Sequence, residues 1–345
     1  MKYFSILFCM IGLLSIALFP PIDADIELIS KIMSDKNIPG ISYAWLQEGK
    51  LKENFAIGKA NNDNQPIDQE TVFSAASLSK PIFAYIVFQL VDEGILALDT
   101  PLYTYFDYLD IAHDPRHKLV TAKMVLSHTS GLPNWRKGKL QFQYEPGEQF
   151  RYSGEGFVWL QKVTEHLKGK GLEELAQENV FQPLGMKRSS FVYLEEFDAN
   201  HSLSFKKNGK QIGKSKVKNP NAAASLQTTA YDYALFLEAL LEGKKMNPGL
   251  QQLMFTPQVQ VNLKEGKGQQ VYWGLGVGIQ ETSEGRQIFQ WGDNFTFRGF
   301  FTANVESRNA VVYFTNSQNG LSPVRELVKL VMPDPQPACD WLNYD

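Results

Sequence analysis

Residues 73–81, FSAASLSKP, place serine and lysine side chains at a spacing that could support nucleophilic catalysis. Ser77 stands three residues before Lys80, so the two side chains share a face if a helix begins at Ser77. A serine hydroxyl is a poor nucleophile at neutral pH and needs a neighbouring base to take its proton. Burial beside the apolar residues that follow would lower the pKa of Lys80 into a useful range for that base.

The Ser-x-x-Lys spacing alone does not identify a catalytic serine. It recurs at Ser204 and Lys207, in a lysine-rich stretch without other signs of a site, and Ser74 competes with Ser77 within the same segment. Taken by itself, the segment favours Ser77 as a simple helix cap beside a solvated lysine. The free amides at such a helix start would also suit negative charge developing on a bound carbonyl oxygen. The choice therefore depends on the rest of the chain.

Composition places the chain among ordinary globular proteins. It has 345 residues, of which 43% are hydrophobic and 21% charged, with a formal net charge of -3. This charge gives no reason to expect nucleic acid or an anionic membrane surface as a partner. The five histidines show no metal-ligand pattern, because Pro115 separates the nearest pair, His113 and His117. We expect neither a metal nor another cofactor.

Residues 1–24 have the pattern of a secretory signal peptide. Lys2 precedes an apolar run over residues 3–19, then two prolines and a small residue, Ala24, at which cleavage is expected. We therefore predict an exported protein, periplasmic or secreted. An uncleaved membrane anchor formed by residues 3–19 stays open as the alternative. After cleavage only Cys339 remains, so no internal disulfide is expected.

The order of the predicted elements favours a mixed α+β (α/β) fold. An amphipathic helix and a hairpin with Gly49 and Lys50 at its turn come first, and a nearly buried helix follows Pro81. The segment VTAKMVLSHTSGLP predicts a helix that ends at a Gly-Leu-Pro stop, and several strands and a helix close the chain. We expect one antiparallel sheet built from both chain ends, flanked by helices, with an inserted and mostly helical subdomain. Residues 25–345 would form this single domain, with the sheet subdomain at about 25–92 and 228–335 and the helical one at about 93–227.

Several segments, in order along nearly the whole chain after residue 24, resemble landmarks of one known family. The family is the serine β-lactamase and penicillin-binding-protein superfamily, in its class C β-lactamase and esterase-like branch. The segments are FSAASLSKP, GILALDTPLYTY, VTAKMVLSHTSGLP, PGEQFRYSGEGF, VFQPLGM, AAASLQTTAYDYALFLEALLEG and FQWGDNFTFRGFF. The resemblance implies a β-lactamase/transpeptidase-like fold and hydrolysis through an acyl-enzyme.

The resemblance also implies a role for individual residues. Ser77 would be the nucleophile, with Lys80 and Tyr152 as proton carriers, either of which could act as the base. The backbone amides of Ser77 and Asp293 would form the oxyanion hole. Substrate-binding positions would be Gly154, Gln290, Trp291 and Gly292.

Two of these positions depart from the family pattern. Gly154 stands where the family has the asparagine of a Tyr-x-Asn motif, so that amide is absent. Gln290 replaces a lysine or histidine, a cation that in the family helps to hold a substrate carboxylate. Its loss argues against efficient recognition of β-lactams and peptidoglycan termini, which present a carboxylate. Asp293 either adds a negative charge that attracts amines or points into solvent.

These observations leave three functional hypotheses. The first is an exported serine hydrolase that acts on a small-molecule ester, amide or peptide through an acyl-enzyme on Ser77. The second is a β-lactamase or DD-peptidase with altered substrate contacts. The third is a binding module of the same fold with a decayed site, against which the retained Ser77, Lys80 and Tyr152 speak.

Overall fold

An eight-stranded antiparallel sheet forms the centre of the protein in a computed structural model that describes residues 22–264 and 266–344. The strands are β1 Gly40–Gln47, β2 Lys50–Gly58, β3 Phe73–Ala76, β4 Ser204–Phe205, β5 Gln211–Ile212, β6 Leu226–Thr228, β7 Val259–Gln260, β8 Val271–Trp273, β9 Gly278–Thr282, β10 Gly285–Asp293, β11 Arg298–Asn304 and β12 Ala310–Thr315. The large sheet has the order β2-β1-β12-β11-β10-β9-β8-β7, so strands from both chain ends lie side by side. The predicted fold class is confirmed.

Helices cover both faces of this sheet. They are α1 Ile22–Asp35, α2 Ser79–Asp92, α3 Ala122–Leu126, α4 Gly154–Lys168, α5 Leu172–Ala176, α6 Gln182–Leu184, α7 Ala230–Glu242, α8 Pro248–Met254, α9 Val324–Lys329 and α10 Pro337–Leu342. A π-helical turn, Gln177–Phe181, joins α5 to α6. One hydrophobic core contains α2 and α7, and a second contains α1, α9 and α10 on the opposite face. Apolar side chains on both faces of the sheet thus account for its position between two helical layers.

The first hairpin turns one residue earlier than the sequence pattern predicts. Glu48 and Gly49 both have positive φ angles, +53° and +79°, while Lys50 already belongs to β2. Two left-handed residues in succession suit a two-residue hairpin turn, because their twist matches that of the flanking strands. The hairpin itself is present as expected.

Helix α2 begins at Ser79, so the condition that a helix begins at Ser77 is not met, although Lys80 still contacts Ser77. Ala76, the last residue of β3, has a left-handed φ of +48°, and Ser77 and Leu78 then form a turn. This change of direction between strand and helix delays the first helical residue. Every residue from Ser79 to Leu90 is buried, as the broad apolar pattern of the segment suggested.

Helix α3 is also shorter than predicted. Thr121 caps it by accepting a hydrogen bond from the Met124 amide, and the helix ends at Leu126 instead of reaching the Gly-Leu-Pro segment. His128 has a φ of +57°, which is incompatible with continued helix. The chain from residue 127 to residue 137 is therefore irregular, and part of it contacts the start of α4.

The last helix, α10, was not predicted from the sequence. It buries Trp341, which is 3% exposed, against the second core. Within residues 22–264 and 266–344, no helix has the length and apolar character needed to cross a bilayer. The signal or anchor predicted at the N-terminus, including its apolar run over residues 3–19, lies outside the described residues.

Candidate active site

Ser77 lies in the turn between β3 and α2, with its side chain partly accessible. The preceding Ala76 is buried and has a left-handed φ of +48°. A left-handed alanine costs free energy, and such conformations persist where the surrounding structure enforces them, often at functional sites. The local backbone thus presents one hydroxyl at the junction of the sheet and the helical layer.

Lys80 contacts Ser77 from the first turn of α2. Its Nζ donates hydrogen bonds to Ser77 Oγ at 3.1 Å and to the Ala223 carbonyl oxygen at 2.8 Å. The side chain is fully buried and has no carboxylate partner among the described residues. Burial disfavours the ammonium form and lowers the pKa of Lys80 to about 7. A neutral amine beside the serine hydroxyl is therefore available near neutral pH.

Tyr152 lies on the other side of the lysine, just before α4. Its hydroxyl accepts a 3.0 Å hydrogen bond from Gln290 Nε2 and lies near enough to Ser77 for the serine to influence its pKa. Lys80 Nζ is 4.7 Å from the centroid of its ring. Desolvation around the hydroxyl raises the pKa of Tyr152 despite the opposing influence of Ser77 and Gln290. Burial thus favours a protonated phenol and a partly neutral lysine, which makes Lys80 the better candidate for the base that the sequence left open.

His128 is a site residue to which the sequence gave no role. Its ring centroid is 4.2 Å from that of Tyr152, and its Nδ1 accepts a 3.1 Å hydrogen bond from the Ser153 amide. Nε2 is buried without a hydrogen-bond partner among the described residues. Burial and the nearby Lys80 hold the pKa of His128 well below its usual range. A neutral imidazole thus packs beside Tyr152. In the sequence, only its place in the family-like segment VTAKMVLSHTSGLP pointed to this residue.

Strand β10 approaches β3 closely at Gly292. A Cβ at this position would lie 2.4 Å from the Ala75 carbonyl oxygen, so only glycine permits the approach. Beyond it, Asn294 Nδ2 donates a 3.1 Å hydrogen bond to Ser74 Oγ. These contacts bring the end of β10, with Asp293, next to the segment that carries Ser77. This is the arrangement that a shared oxyanion hole requires.

The competing serines have structural partners. Ser74 accepts the hydrogen bond from Asn294, and Ser79 Oγ bonds to the Ala76 carbonyl oxygen and the Leu226 amide. Ser204 Oγ lies 2.7 Å from Thr296 Oγ1. Among the serines considered from the sequence, only Ser77 contacts a buried lysine.

Gln290 does not line an open binding surface. Its side chain is buried, with Nε2 donating to the Tyr152 hydroxyl and, at 2.8 Å, to the Trp291 carbonyl oxygen. The donors of its side chain are thus aimed at Tyr152 and the backbone, while Oε1 is buried without a hydrogen-bond partner among the described residues, and the predicted contact of Gln290 with substrate stays a prediction. Its role is to orient the tyrosine.

The missing side chain at Gly154 is explained by a neighbouring segment. A Cβ there would lie 2.6 Å from the Asn134 carbonyl oxygen and 2.9 Å from the Trp135 ring. Asn134 Oδ1 accepts a 3.1 Å hydrogen bond from the Gly154 amide, and its side chain is exposed beside Tyr152. A carboxamide thus reaches this part of the site from the irregular segment after α3. No spacing in the sequence indicated Asn134.

With this geometry established, comparison with known proteins identifies the family. A family model described as Beta-lactamase matches residues 26–331. The chain belongs to the beta-lactamase family. Members of this family are serine hydrolases, which agrees with a serine and a buried lysine in hydrogen-bond contact.

Relatives of this beta-lactamase family member differ in their named activities. A protein of Bacillus subtilis (strain 168) named as penicillin-binding protein PbpX is 23% identical over 85% of this chain and 74% of its own. A beta-lactamase of Pseudomonas fluorescens is 24% identical over 71% of this chain and 72% of its own. Esterase EstB of Burkholderia gladioli is 27% identical over 49% and 51%, respectively.

Solved structures of the beta-lactamase fold superpose over most of the chain. The octameric penicillin-binding protein homologue from Pyrococcus abyssi has a TM-score of 0.76 and 22% identity, covering 87% of this chain and 74% of its own. A class C beta-lactamase has a TM-score of 0.75 and 19% identity, covering 89% and 95%. At these identities the likeness establishes the fold alone.

The structure also shows where the side chain of Asp293, the residue after Gly292, lies. Its carboxylate lies 3.0 Å from the Arg298 guanidinium, on the paired residue of β11. The side chain is exposed, and its charge is matched by the arginine. The charge of Asp293 is therefore not free to attract an amine. The alternative interpretation, that the carboxylate faces solvent, is favoured. The backbone amide alone remains as its expected contribution to catalysis.

Proposed function

We propose that this protein is a serine hydrolase that cleaves a small-molecule ester, amide or peptide through an acyl-enzyme on Ser77. The observation that carries the proposal is the 3.1 Å hydrogen bond from Lys80 Nζ to Ser77 Oγ, together with the pKa of about 7 that burial gives this lysine. A base with this pKa is matched to neutral pH, where general base catalysis is most effective.

The proposed reaction has two steps with balanced proton transfers. Neutral Lys80 takes the proton of Ser77 as Oγ attacks the carbonyl carbon, and the amides of Ser77 and Asp293 stabilise the oxyanion. The proton then passes from Lys80, with the Tyr152 hydroxyl as relay, to the leaving oxygen or nitrogen as its bond to carbon breaks. Water hydrolyses the resulting ester with the same groups in reverse, releasing the acid and restoring the serine.

A labelling experiment tests the nucleophile. A fluorophosphonate probe should label the purified protein and the Ser204→Ala variant, since Ser204 shares the Ser-x-x-Lys spacing but bonds to Thr296. The Ser77→Ala variant should take no label, and turnover of a nitrophenyl ester should disappear with it. Absence of label and turnover in the unmodified protein would favour the binding module instead.

The second candidate is a β-lactamase or DD-peptidase with altered contacts. It is supported by the named activities of two relatives and by the exposed Asn134 carboxamide beside Tyr152. A chromogenic cephalosporin and a fluorescent penicillin distinguish the candidates. Cephalosporin turnover that exceeds ester turnover would favour the second.

The place of action is a further part of the proposal. The pattern of residues 1–24 supports export to the periplasm or the medium, with an anchor at residues 3–19 as the alternative. Cell fractionation and mass measurement of the mature N-terminus separate the two. The expected partner is a small-molecule substrate and not nucleic acid.

A further inference from the structure

A cavity of about 340 Å³ opens directly beside Tyr152. Its walls come from four parts of the chain: the residues before α4, the turn after β7, the end of β10 and the C-terminal helix α10. The residues that line it include Asn134, Arg151, Tyr152, Lys264, Trp291 and Trp341. Trp341 lies beyond residue 331, where the match to the family model ends, so this wall is not part of the matched region.

Hydrogen bonds between its walls hold this cavity in shape. Trp341 Nε1 donates to the Asn262 carbonyl oxygen at 3.0 Å, and Asn262 Nδ2 donates to the Phe150 carbonyl oxygen at 3.0 Å. The bonds connect α10, the turn after β7 and the segment that carries Tyr152. The cavity is thus a built feature and not a gap between independent loops.

Aromatic rings form its inner surface. The Trp291 ring lies 5.0 Å from the Tyr152 ring and 5.8 Å from the Trp341 ring, edge to face with the latter. Indole and phenol faces present large apolar areas with little conformational entropy to lose. Such a surface suits a planar apolar group.

Two cations stand at the rim without a carboxylate partner among the residues that the structure describes, which do not include Glu265 and Asp345. Lys264 and Arg151 are exposed, and neither lies within 4.0 Å of a carboxylate in residues 22–264 and 266–344. Lys264 Nζ is 4.8 Å from the Trp341 ring centroid, and Arg151 Nε donates to Gln143 Oε1, which leaves its terminal nitrogens without a carboxylate. An anion bound in the cavity would meet both charges.

The position of Tyr152 fixes which half of a substrate enters. Its hydroxyl contacts Ser77, and its ring is a wall of the cavity. In the proposed reaction the proton reaches the leaving atom by way of this hydroxyl. We infer that the group attached to that atom enters the cavity past the ring of Tyr152, the one catalytic residue that lines it, while the acyl group stays with Ser77.

We propose that the cavity is a leaving-group subsite for a planar apolar group that ends in a carboxylate. The inference rests on the proposed hydrolase function and adds the substrate class. It places the anion-recognising charge on Lys264 and Arg151, in a chain whose Gln290 carries none. The expected natural substrates are esters or amides whose alcohol or amine part is an aromatic or similarly flat acid.

A matched pair of substrates tests the subsite. Butyrate esters of 3-(4-hydroxyphenyl)propanoate and of its carboxamide differ only in the terminal charge. The acid ester should be cleaved with about tenfold higher kcat/KM, the value of one charge-assisted contact, mainly through a lower KM. Lys264→Gln should reduce that preference to about twofold, Lys264→Arg should keep it, and salt should weaken it.

A control variant at Lys267, in the same turn as Lys264, distinguishes a direct contact of Lys264 with the substrate from a general effect of positive charge. Lys267 bonds to Asn343 and does not line the cavity, so Lys267→Gln should leave the preference unchanged. Equal cleavage of both esters by the unmodified protein, or an unchanged preference in Lys264→Gln, would overturn the subsite.

Direct binding keeps this test independent of turnover. Binding of 3-(4-hydroxyphenyl)propanoate to the Ser77→Ala variant should quench the fluorescence of the cavity tryptophans, and the carboxamide should bind about tenfold more weakly. Failure of the hydrolase proposal would appear as lost labelling and turnover with this binding intact. Failure of the subsite would appear as active enzyme without preference for the acid.

Discussion

Gln290 Nε2 donates a 3.0 Å hydrogen bond to the Tyr152 hydroxyl, at the position where the family pattern has a cation. The glutamine thus orients the phenol without adding charge to a site that already contains Lys80. A lysine at position 290 would bring an ammonium toward Tyr152 and toward Lys80, where it would repel the protonated form of Lys80 that arises during the reaction. The neutral donor avoids that repulsion while it still fixes the tyrosine.

Replacing Gln290 by methionine should therefore slow catalysis without moving its pH dependence. The change keeps the volume of the buried side chain but removes both hydrogen bonds that Nε2 donates. We expect kcat for a nitrophenyl ester to fall about tenfold, the cost of one lost positioning contact. The acid limb of the pH profile should stay in place, because burial and not Gln290 sets the pKa of Lys80.

An acid limb near neutrality is the second prediction. Lys80 must be unprotonated to accept the Ser77 proton, and its pKa is about 7. We expect kcat/KM for ester cleavage to rise with pH through about 7 and to fall about tenfold per pH unit well below it. A profile that is flat from pH 5.5 to 8.5 would contradict the assignment of Lys80 as base.

The same lysine predicts how stability changes with pH. Its pKa is lower in the folded protein, about 7, than the ordinary value of 10.5. Between these values the unfolded chain binds the additional proton, so the contribution of Lys80 to stability rises with pH. Lys80→Met should therefore be inactive but more stable near pH 7, by about 1–2 kcal/mol. Urea unfolding of both proteins at pH 7 and pH 9.5 should show this gain shrinking at the higher pH.

The sequence predicted the sheet from local apolar patterns, whereas Ser77 and Lys80 were chosen as catalytic candidates through the family resemblance, because their spacing alone favoured a helix cap. Ser77 and Lys80 are three residues apart, and β10 and β11 show strong apolar patterns. Asn134 could not be found in this way, because its role depends on an irregular segment that reaches Gly154, 20 residues away.

The C-terminal wall of the cavity could not be predicted from the sequence for a related reason. Trp341 contacts Trp291 across 50 residues of chain, and the short helix α10 has too few turns to give a clear apolar period. The turn at Ser77 and Leu78 before α2 was not indicated by the sequence, because a left-handed alanine has no compositional signal. Long-range packing and unusual φ angles therefore mark the limit of pattern reasoning in this chain.

Restoring the family asparagine at Gly154 should damage the protein. The new Cβ would overlap the Asn134 carbonyl oxygen at 2.6 Å, and backbone atoms cannot move aside as a flexible side chain can. We expect Gly154→Asn to lower the free energy of unfolding by about 1–3 kcal/mol, the usual cost of overpacking, and to reduce ester turnover. Asn134→Ala, which removes the carboxamide without overlap, should reduce turnover with little loss of stability. If Gly154→Asn were as stable as the unmodified protein, the segment after α3 would have to move to accommodate the new side chain, and the overpacking argument would be wrong.

The left-handed conformation of Ala76 supplies a last prediction about the nucleophile. Its φ of +48° is acceptable to glycine and poorly tolerated by a β-branched residue, and the side chain is buried at the end of β3. Ala76→Gly should change the free energy of unfolding by less than about 1 kcal/mol, because relief of strain and greater freedom of the unfolded chain oppose each other. Ala76→Val should lose about 2 kcal/mol or more and should react more slowly with a fluorophosphonate, since Ser77 would be displaced from Lys80. Urea titration and the labelling rate measure the two effects, and a valine variant with normal stability and labelling would rule out a constraint on Ser77 from this residue.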